Sequence, residues 1–430
     1  MRQGDGVTGC QGDRDEKFLT PRLPVSPSPV DVAIVGGGVA GSALGIVLAR
    51  AGIDVAIFER EARFRDRVRG EALMPWGATL AGLLGIADAL PESGAHPLPI
   101  WQTYRDREPL PPYDWRPDSP SGDGLWGVNH PGLQETLLRR AEAAGVSVFR
   151  PAKAQRPDRD ANGTFHMPIE GQDGVSRISA RLIVGADGSE SGVRRWIGAE
   201  TMRDPVKHAI GGVLVEGFDL DPEASHIGFY RGGASLVFRQ ASGRARAYLF
   251  CAAEDAERMR GAGAAEAIIE TSAASLPEGT FCGVRAVGPA AFFPGADVFA
   301  SKVAGGGIVL IGDAAGANDP TQGQGLSLVF KDVWELSQRL LAMPDWGEAI
   351  ADYARCRSRW YEPLRAFAMW KGPLFIGVGA EADAARERAE RAQERDPGLW
   401  GYGVIHTAGP DGLPVNEDAR RHFLGEDFDE

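Results

Sequence analysis

Three glycines in the stretch AIVGGGVAGS, Gly36, Gly38 and Gly41, have the G-x-G-x-x-G spacing that brings a main chain close to phosphate. The first glycine of such a turn permits a tight change of direction, and the second lets the backbone approach a pyrophosphate. The third lets a helix pack closely on a strand. Main-chain N–H groups and the positive end of the helix dipole then favour the phosphate charge. Glu59 follows 18 residues beyond Gly41, at the end of DVAIFE, where a carboxylate can accept ribose hydroxyls. This set suits a dinucleotide, and by itself does not choose between NAD and FAD.

Two later segments bear on that choice. LIVGADGSESGVRR puts Asp187 just after an apolar run, and GIVLIGDAAGANDPTQGQG puts Gly312 and Asp313 after another, ahead of a glycine-rich helix start. A simple NAD dehydrogenase has no use for a second strand–Asp–helix unit so far downstream. FAD does: Asp313 is placed to accept a ribityl hydroxyl, and a helix beginning near Gly323 and Gly325 can stabilise negative charge on reduced flavin. Taken singly, either aspartate has the ordinary reading of a helix cap. Their order along the chain favours the cofactor.

The elements that must carry these residues follow from the pattern. DVAIVG, a helix over 39–51 and DVAIFE make a βαβ unit; GLQETLLRRAEAAG has helical spacing and leads into the strand VSVF. RPDRDANGTFHMPIEGQDGVS predicts a hairpin turning at Asn-Gly. From about Val206 to Val298, AIGGVLVEGF, SHIGFYRG, ASLVFRQ and RARAYLFC are short alternating runs, as in an antiparallel sheet, with one helix among them at AEAIIETSAASL. Phe229, Tyr230, Phe238 and Arg239 are possible pocket liners there, although alternating aromatics also make plain core. GGIVLIGDAAG resumes the first pattern, followed by a long helix from about Gly323 to Ala342. The rest is mostly helical, with EADAARERAERAQERD as a solvated amphipathic helix. The expected fold class is α/β: a Rossmann-type FAD-binding fold interrupted by an antiparallel β-sheet substrate domain, with a helical C-terminal region. Its expected divisions are a disordered leader (1–30), the FAD-binding domain in two parts (31–205 and 299–345), the substrate sheet (206–298) and a C-terminal helical region and tail (346–430).

A net charge of −13 argues against nucleic acid or an anionic membrane as the main partner. Cys10, Cys251, Cys282 and Cys356 have neither metal nor disulfide spacing, so no metal is expected and a reducing cytoplasm fits. No apolar run reaches the length of a membrane span, and the leader lacks the apolar centre of a signal peptide.

GGGVAG, GADG and GDAAGANDPTQGQG, in that order, resemble the class A flavoprotein monooxygenases, the p-hydroxybenzoate hydroxylase-like family, over about residues 31–345. The resemblance implies that Gly36, Gly38, Gly41 and Glu59 hold the ADP half of FAD. It assigns Asp187 to a motif linked with both FAD and NAD(P)H, and Gly312 and Asp313 to the ribityl chain. Pro320 to Gly325 would line the flavin ring, with Pro320, Gly323 and Gly325 as positioning residues. RVRGEALMPWG is similar to the family's R-x-R segment, which makes Arg67 and Arg69 candidate contacts for FAD or pyridine nucleotide. Arg60, beside Glu59, joins them; ordinary surface charge is the other reading of these arginines. The chain also departs from the pattern. Gly316 stands where many relatives have histidine, and His130 where they often have arginine, with Gln134 in the same helix a further candidate FAD contact. By resemblance, NADPH or NADH reduces non-covalent FAD, O2 adds at flavin C4a, and the hydroperoxide passes one oxygen atom to an aromatic or polyketide-like small molecule. The protein must then position the substrate and exclude water. No single catalytic base emerges, and a monomer or homodimer is expected. A halogenase would need a lysine near the ring, but none lies between Lys17 and Lys153. A reductase of geranylgeranyl-reductase type stays open, because GDAAGANDP resembles its motif in part. So does a non-catalytic flavin-binding interaction protein, favoured only by the charged helix near 381–396. Oxygen uptake separates the monooxygenase from both.

Overall fold

The computed structural model describes residues 29–68, 70–172, 174–240, 242–396 and 402–427. Nearly all of the expected disordered leader, and Arg69, lie outside the described residues. Apolar runs such as Val30–Val35 and Val55–Phe58 can hide both faces only inside a covered parallel sheet. That is where they sit: Ile308–Leu310, Gly174–Gly185, Val30–Val35, Val55–Phe58 and Ser147–Phe149 pair in this order, all parallel. Helix Val39–Arg50 follows the glycine turn and packs between helices His130–Ala143 and Gly325–Ala342. The strand Gly174–Gly185 serves two partnerships. Its first half pairs antiparallel with Phe165–Gly171, and its second half lies parallel between Val30–Val35 and Ile308–Leu310. The Asn-Gly turn forms as expected, with Asp160 Oδ1 accepting from the N–H groups of Asn162 and Thr164, both at 2.9 Å.

The second sheet runs in the order Arg285–Gly295, His208–Glu216, Ala245–Ala252, Gly233–Arg239, Ala224–Tyr230, Ile100–Arg105. It therefore reaches beyond the 206–298 interval. Ile100–Arg105, with Glu108–Pro109 and Tyr113–Asp114, comes from far upstream and runs parallel to Ala224–Tyr230. Val298–Ala300 instead joins a small separate sheet with Thr201–Arg203 and Gly316–Ala317. Period-two alternation splits the large sheet's side chains. Val213, Val215, Val237, Leu249 and Cys251 pack beneath helix Ala264–Ser275. Ile210, Ile227, Leu236, Phe238, Tyr248 and Phe250 point the other way, into the core shared with the dinucleotide fold.

The helix expected from Gly323 begins at Gly325, because Pro320–Gln322 forms a 3-10 turn that Gly323 ends at φ +65°. Helices Trp346–Cys356, Ser358–Ile376, Ala380–Arg395, Tyr402–Thr407 and Glu417–Leu424 follow. Ala380–Arg395 buries only Ala389 and Ala392 and lies along Glu417–Leu424. No helix among the described residues is long and apolar enough to cross a membrane.

Candidate functional site

The glycine loop is fixed by close approaches that a side chain would prevent. Gly36 holds φ +107°, and a Cβ there would lie 2.3 Å from the Ala186 carbonyl oxygen; one at Gly41 would lie 2.0 Å from that of Gly36. Gly38 differs: a Cβ would meet only Gln134 Nε2, at 3.5 Å, so the loop offers bare main chain at its mouth. Glu59 locks the loop from below. Its Oε2 accepts from Gly37 N–H at 2.8 Å and its Oε1 from Glu61 N–H at 2.7 Å. Each oxygen retains a lone pair for a ligand.

A cavity of about 770 Å³ opens from this loop. Gly36, Gly38, Glu59, Arg60, His130 and Gln134 line it at one end, and Asp187, Asp313, Pro320, Gly323 and Gly325 line it further along. Gly41 and Gly312 stand behind the wall. Gly312 takes φ +58° and donates its N–H to buried Asp332 at 2.9 Å. Asp332 in turn holds Arg357 and the Trp360 indole N–H, an anchor with no sequence motif. The two aspartates after strands differ sharply. Asp187 accepts from Ser191 Oγ and from the N–H groups of Gly192 and Val193, starting the short helix Gly192–Trp196. Asp313 faces the cavity, and its carboxylate makes no hydrogen bond among the described residues. His130 uses Nδ1 on the Gly70 carbonyl at 3.0 Å, and Arg60 and Arg67 lean on Glu61 at 3.7 and 3.3 Å.

The turn Pro320–Gln322 is pinned from outside the cavity. Asp319 accepts from Thr321 N–H at 2.9 Å and pairs with His208 Nε2 at 2.8 Å. Asp297 accepts from Asn318 Nδ2, Tyr361 Oη and Asp319 N–H at 2.9, 3.0 and 3.2 Å. Burial pushes its carboxyl up to about 7. Tyr361 also fills the space at Gly316, where a Cβ would meet its ring at 3.1 Å.

On the sheet side, only Phe238 of the four aromatic and arginine candidates lines the cavity. Tyr230 and Arg239 fall on the opposite face, where Tyr230 Oη donates to the Phe250 carbonyl at 2.6 Å and Arg239 to that of Leu220 at 3.0 Å. Phe229 has the right parity but stacks on Phe375, 5.7 Å between ring centroids. Other liners have no local signal: Trp101 from the upstream strand, and Lys371, Phe375 and His406 from the C-terminal helices. Burial holds the Lys371 amine well below the usual lysine range, and it lies 5.0 and 5.1 Å from the Phe367 and Phe375 ring centroids. Glu71, from RVRGEALMPWG, and Tyr248 complete the wall. Burial raises the Glu71 carboxyl against the opposing pull of Arg246.

The FAD binding domain family matches residues 29–356 of the chain. The chain belongs to this FAD-binding family. Digeranylgeranylglycerophospholipid reductase 2 of Methanopyrus kandleri is 30% identical over 311 residues, covering 69% of this chain and 73% of that one. The 6-methylpretetramide 4-monooxygenase of Streptomyces rimosus is 25% identical over 397 residues, 88% of this chain and 92% of its own. Among solved structures, p-nitrophenol 4-monooxygenase of Pseudomonas putida superposes with a TM-score of 0.72 at 18% identity, over 93% of this chain and 98% of that one. The fold of this FAD-binding protein is thus that of the class A flavoprotein monooxygenases, and the chain is a flavin-dependent oxidoreductase. Its residues fit the cofactor: main chain is bare at Gly38, nothing lies within 4 Å of a Cβ at Gly325, and Asp313 keeps an open carboxylate.

Proposed function

We propose that this FAD-binding protein is a monooxygenase that uses NADH or NADPH and inserts one atom of O2 into an aromatic or polyketide-like small molecule. The observation that carries this reading is the continuity of the cavity, from the glycine loop past the 320–325 turn to the aromatic face of the second sheet. In it, Gly36, Gly38 and Glu59 hold the ADP half of non-covalent FAD, Asp313 accepts a ribityl hydroxyl, and the main chain at Gly325 faces the ring. FAD, when bound, supplies two-electron reduction and the activation of O2. The chain does the rest. The Asp319–His208 and Asp297 contacts keep the turn in place, and Ile227, Leu236, Phe238 and Phe250 make a wall that keeps water from the reacting centre.

A second reading, reduction of a prenyl chain, is supported by the 30% identity to the Methanopyrus kandleri reductase. Polar groups on the cavity wall, among them Glu71, Thr321 and Lys371, suit a functionalised aromatic better than a hydrocarbon chain. One experiment separates the readings. NAD(P)H oxidation should be slow alone, accelerate on adding a phenolic aromatic, and consume O2 in equal amount. Equal turnover with and without O2, yielding a saturated product, would transfer the protein to the reductases.

A further inference from the structure

Where the dinucleotide fold touches the second sheet, four buried polar side chains form a cluster. Glu71 Oε1 accepts from Arg246 Nε at 2.9 Å, Arg246 Nη2 at 2.6 Å and Gln240 Nε2 at 3.2 Å. Its Oε2 accepts the Tyr248 hydroxyl at 2.5 Å. Arg246 Nη2 also reaches Asp66, at 2.7 Å. Glu71, Arg246, Tyr248 and Gln240 are 3%, 1%, 7% and 4% exposed, so all four are held away from bulk water. Ala72 and Met74, which follow Glu71 in the chain, border the 320–323 turn: a Cβ at Gly323 would lie 3.6 Å from Ala72 Cβ and 2.6 Å from Met74.

The hydrogen-bond polarity of this cluster is fixed. A guanidinium and a carboxamide N–H can only donate, and three such donors on one oxygen of Glu71 match a carboxylate. A tyrosine hydroxyl has one proton and two lone pairs. Tyr248 lines the cavity, and with that proton committed to Glu71 its hydroxyl oxygen can only accept from a further partner. Two carboxylates around one guanidinium also leave net negative charge, which opposes an anion at this point.

We propose that Tyr248, held by Glu71, is a specificity-determining subsite that selects ligands presenting a hydroxyl or amino proton and discriminates against isosteres without one. The proposal rests on the reading of an aromatic substrate given above and names the functional group that substrate carries. A site built around a committed polar atom rejects the analogue lacking its partner, because a buried group is then left unpaired.

The test uses the full-length, FAD-loaded, oxidised protein without reductant, following flavin absorbance on addition of 2-naphthol or 2-methoxynaphthalene. The second probe keeps the ring and the oxygen but has no proton. Wild type should prefer 2-naphthol by about tenfold or more. Tyr248→Phe should retain FAD, bind 2-methoxynaphthalene as wild type does, and lose most of the preference. Glu71→Gln supplies an N–H that can donate to Tyr248 and release its proton, so the preference should narrow with Tyr248 still present. Should Glu71→Gln fail to fold, Tyr248→Phe decides alone. A preference unchanged in Tyr248→Phe, or a wild type that shows none or binds neither probe, overturns the proposal. A wild type without the preference, beside intact substrate-stimulated O2 uptake, would refute the subsite alone; a wild type with the preference but without O2 uptake would refute the monooxygenase reading alone.

Discussion

Asp313 and Asp187 both follow a strand, and both line the cavity, yet only Asp313 keeps its carboxylate open. Their substitutions should therefore separate. Asp313→Ala should weaken FAD binding by roughly 1–3 kcal/mol, the loss of a charge-assisted hydrogen bond, and leave the apoprotein's stability unchanged. Asp187→Ala should lower apoprotein stability by about 1 kcal/mol, the worth of a helix cap. Titrating apoprotein with FAD, alongside urea unfolding of the same samples, measures both; equal FAD affinity for Asp313→Ala and wild type would remove Asp313 from the ribityl site. The role of Gly41 was legible because the group that a Cβ there would strike, the Gly36 carbonyl, lies in the same turn. Gly316 shows the limit, since the ring that fills its missing side chain belongs to Tyr361, on a different helix. Glu71 stood in plain view in RVRGEALMPWG, but its partners Arg246 and Tyr248 lie 175 and 177 residues away, beyond the reach of any local pattern.

Among the elements, the turn at Pro320–Gln322 carries a pH dependence of its own. Asp297 props it while carrying a carboxyl raised from 3.8 to about 7. Between those values the folded chain binds a proton that the unfolded chain has released, so this group's contribution to stability falls as pH rises from about 4 to about 7. The slope is at most about 1.4 kcal/mol per pH unit for one group. Urea unfolding at pH 5, 6 and 7 should show a steeper fall for wild type than for Asp297→Asn; parallel slopes would place the raised carboxyl elsewhere. The second sheet makes a different prediction. Phe238 is 5% exposed and faces the cavity, so Phe238→Ala should cost roughly 2–4 kcal/mol and admit bulkier aromatics. Unchanged selectivity across a series of ring sizes would argue against that wall. Alternation revealed the sheet's strands but not which parity faces the cofactor, because that depends on how the whole sheet docks. Ile100–Arg105 escaped notice for a related reason: its partner Ala224–Tyr230 is remote in sequence.

At the scale of the whole molecule, the C-terminal helices do more than trail behind the cofactor domain, since they deliver Lys371, Phe375 and His406 to the cavity. The protein should be yellow as purified and release its flavin on denaturation; flavin that stayed attached to the unfolded chain would contradict non-covalent binding. The strand Gly174–Gly185 bears on how such a molecule is made. Its first half finds Phe165–Gly171 within a few residues, while one partner of its second half, Ile308–Leu310, is more than a hundred residues away. A ribosome therefore releases the hairpin early and the closing strand late, with most of the second sheet in between. Until Ile308–Leu310 docks, one edge of the parallel sheet is open and Asp313 has no fixed position. A chain cut at residue 205 should thus emerge without flavin and prone to self-association through that bare edge, so the coloured protein is the product of the last strand of the parallel sheet to arrive.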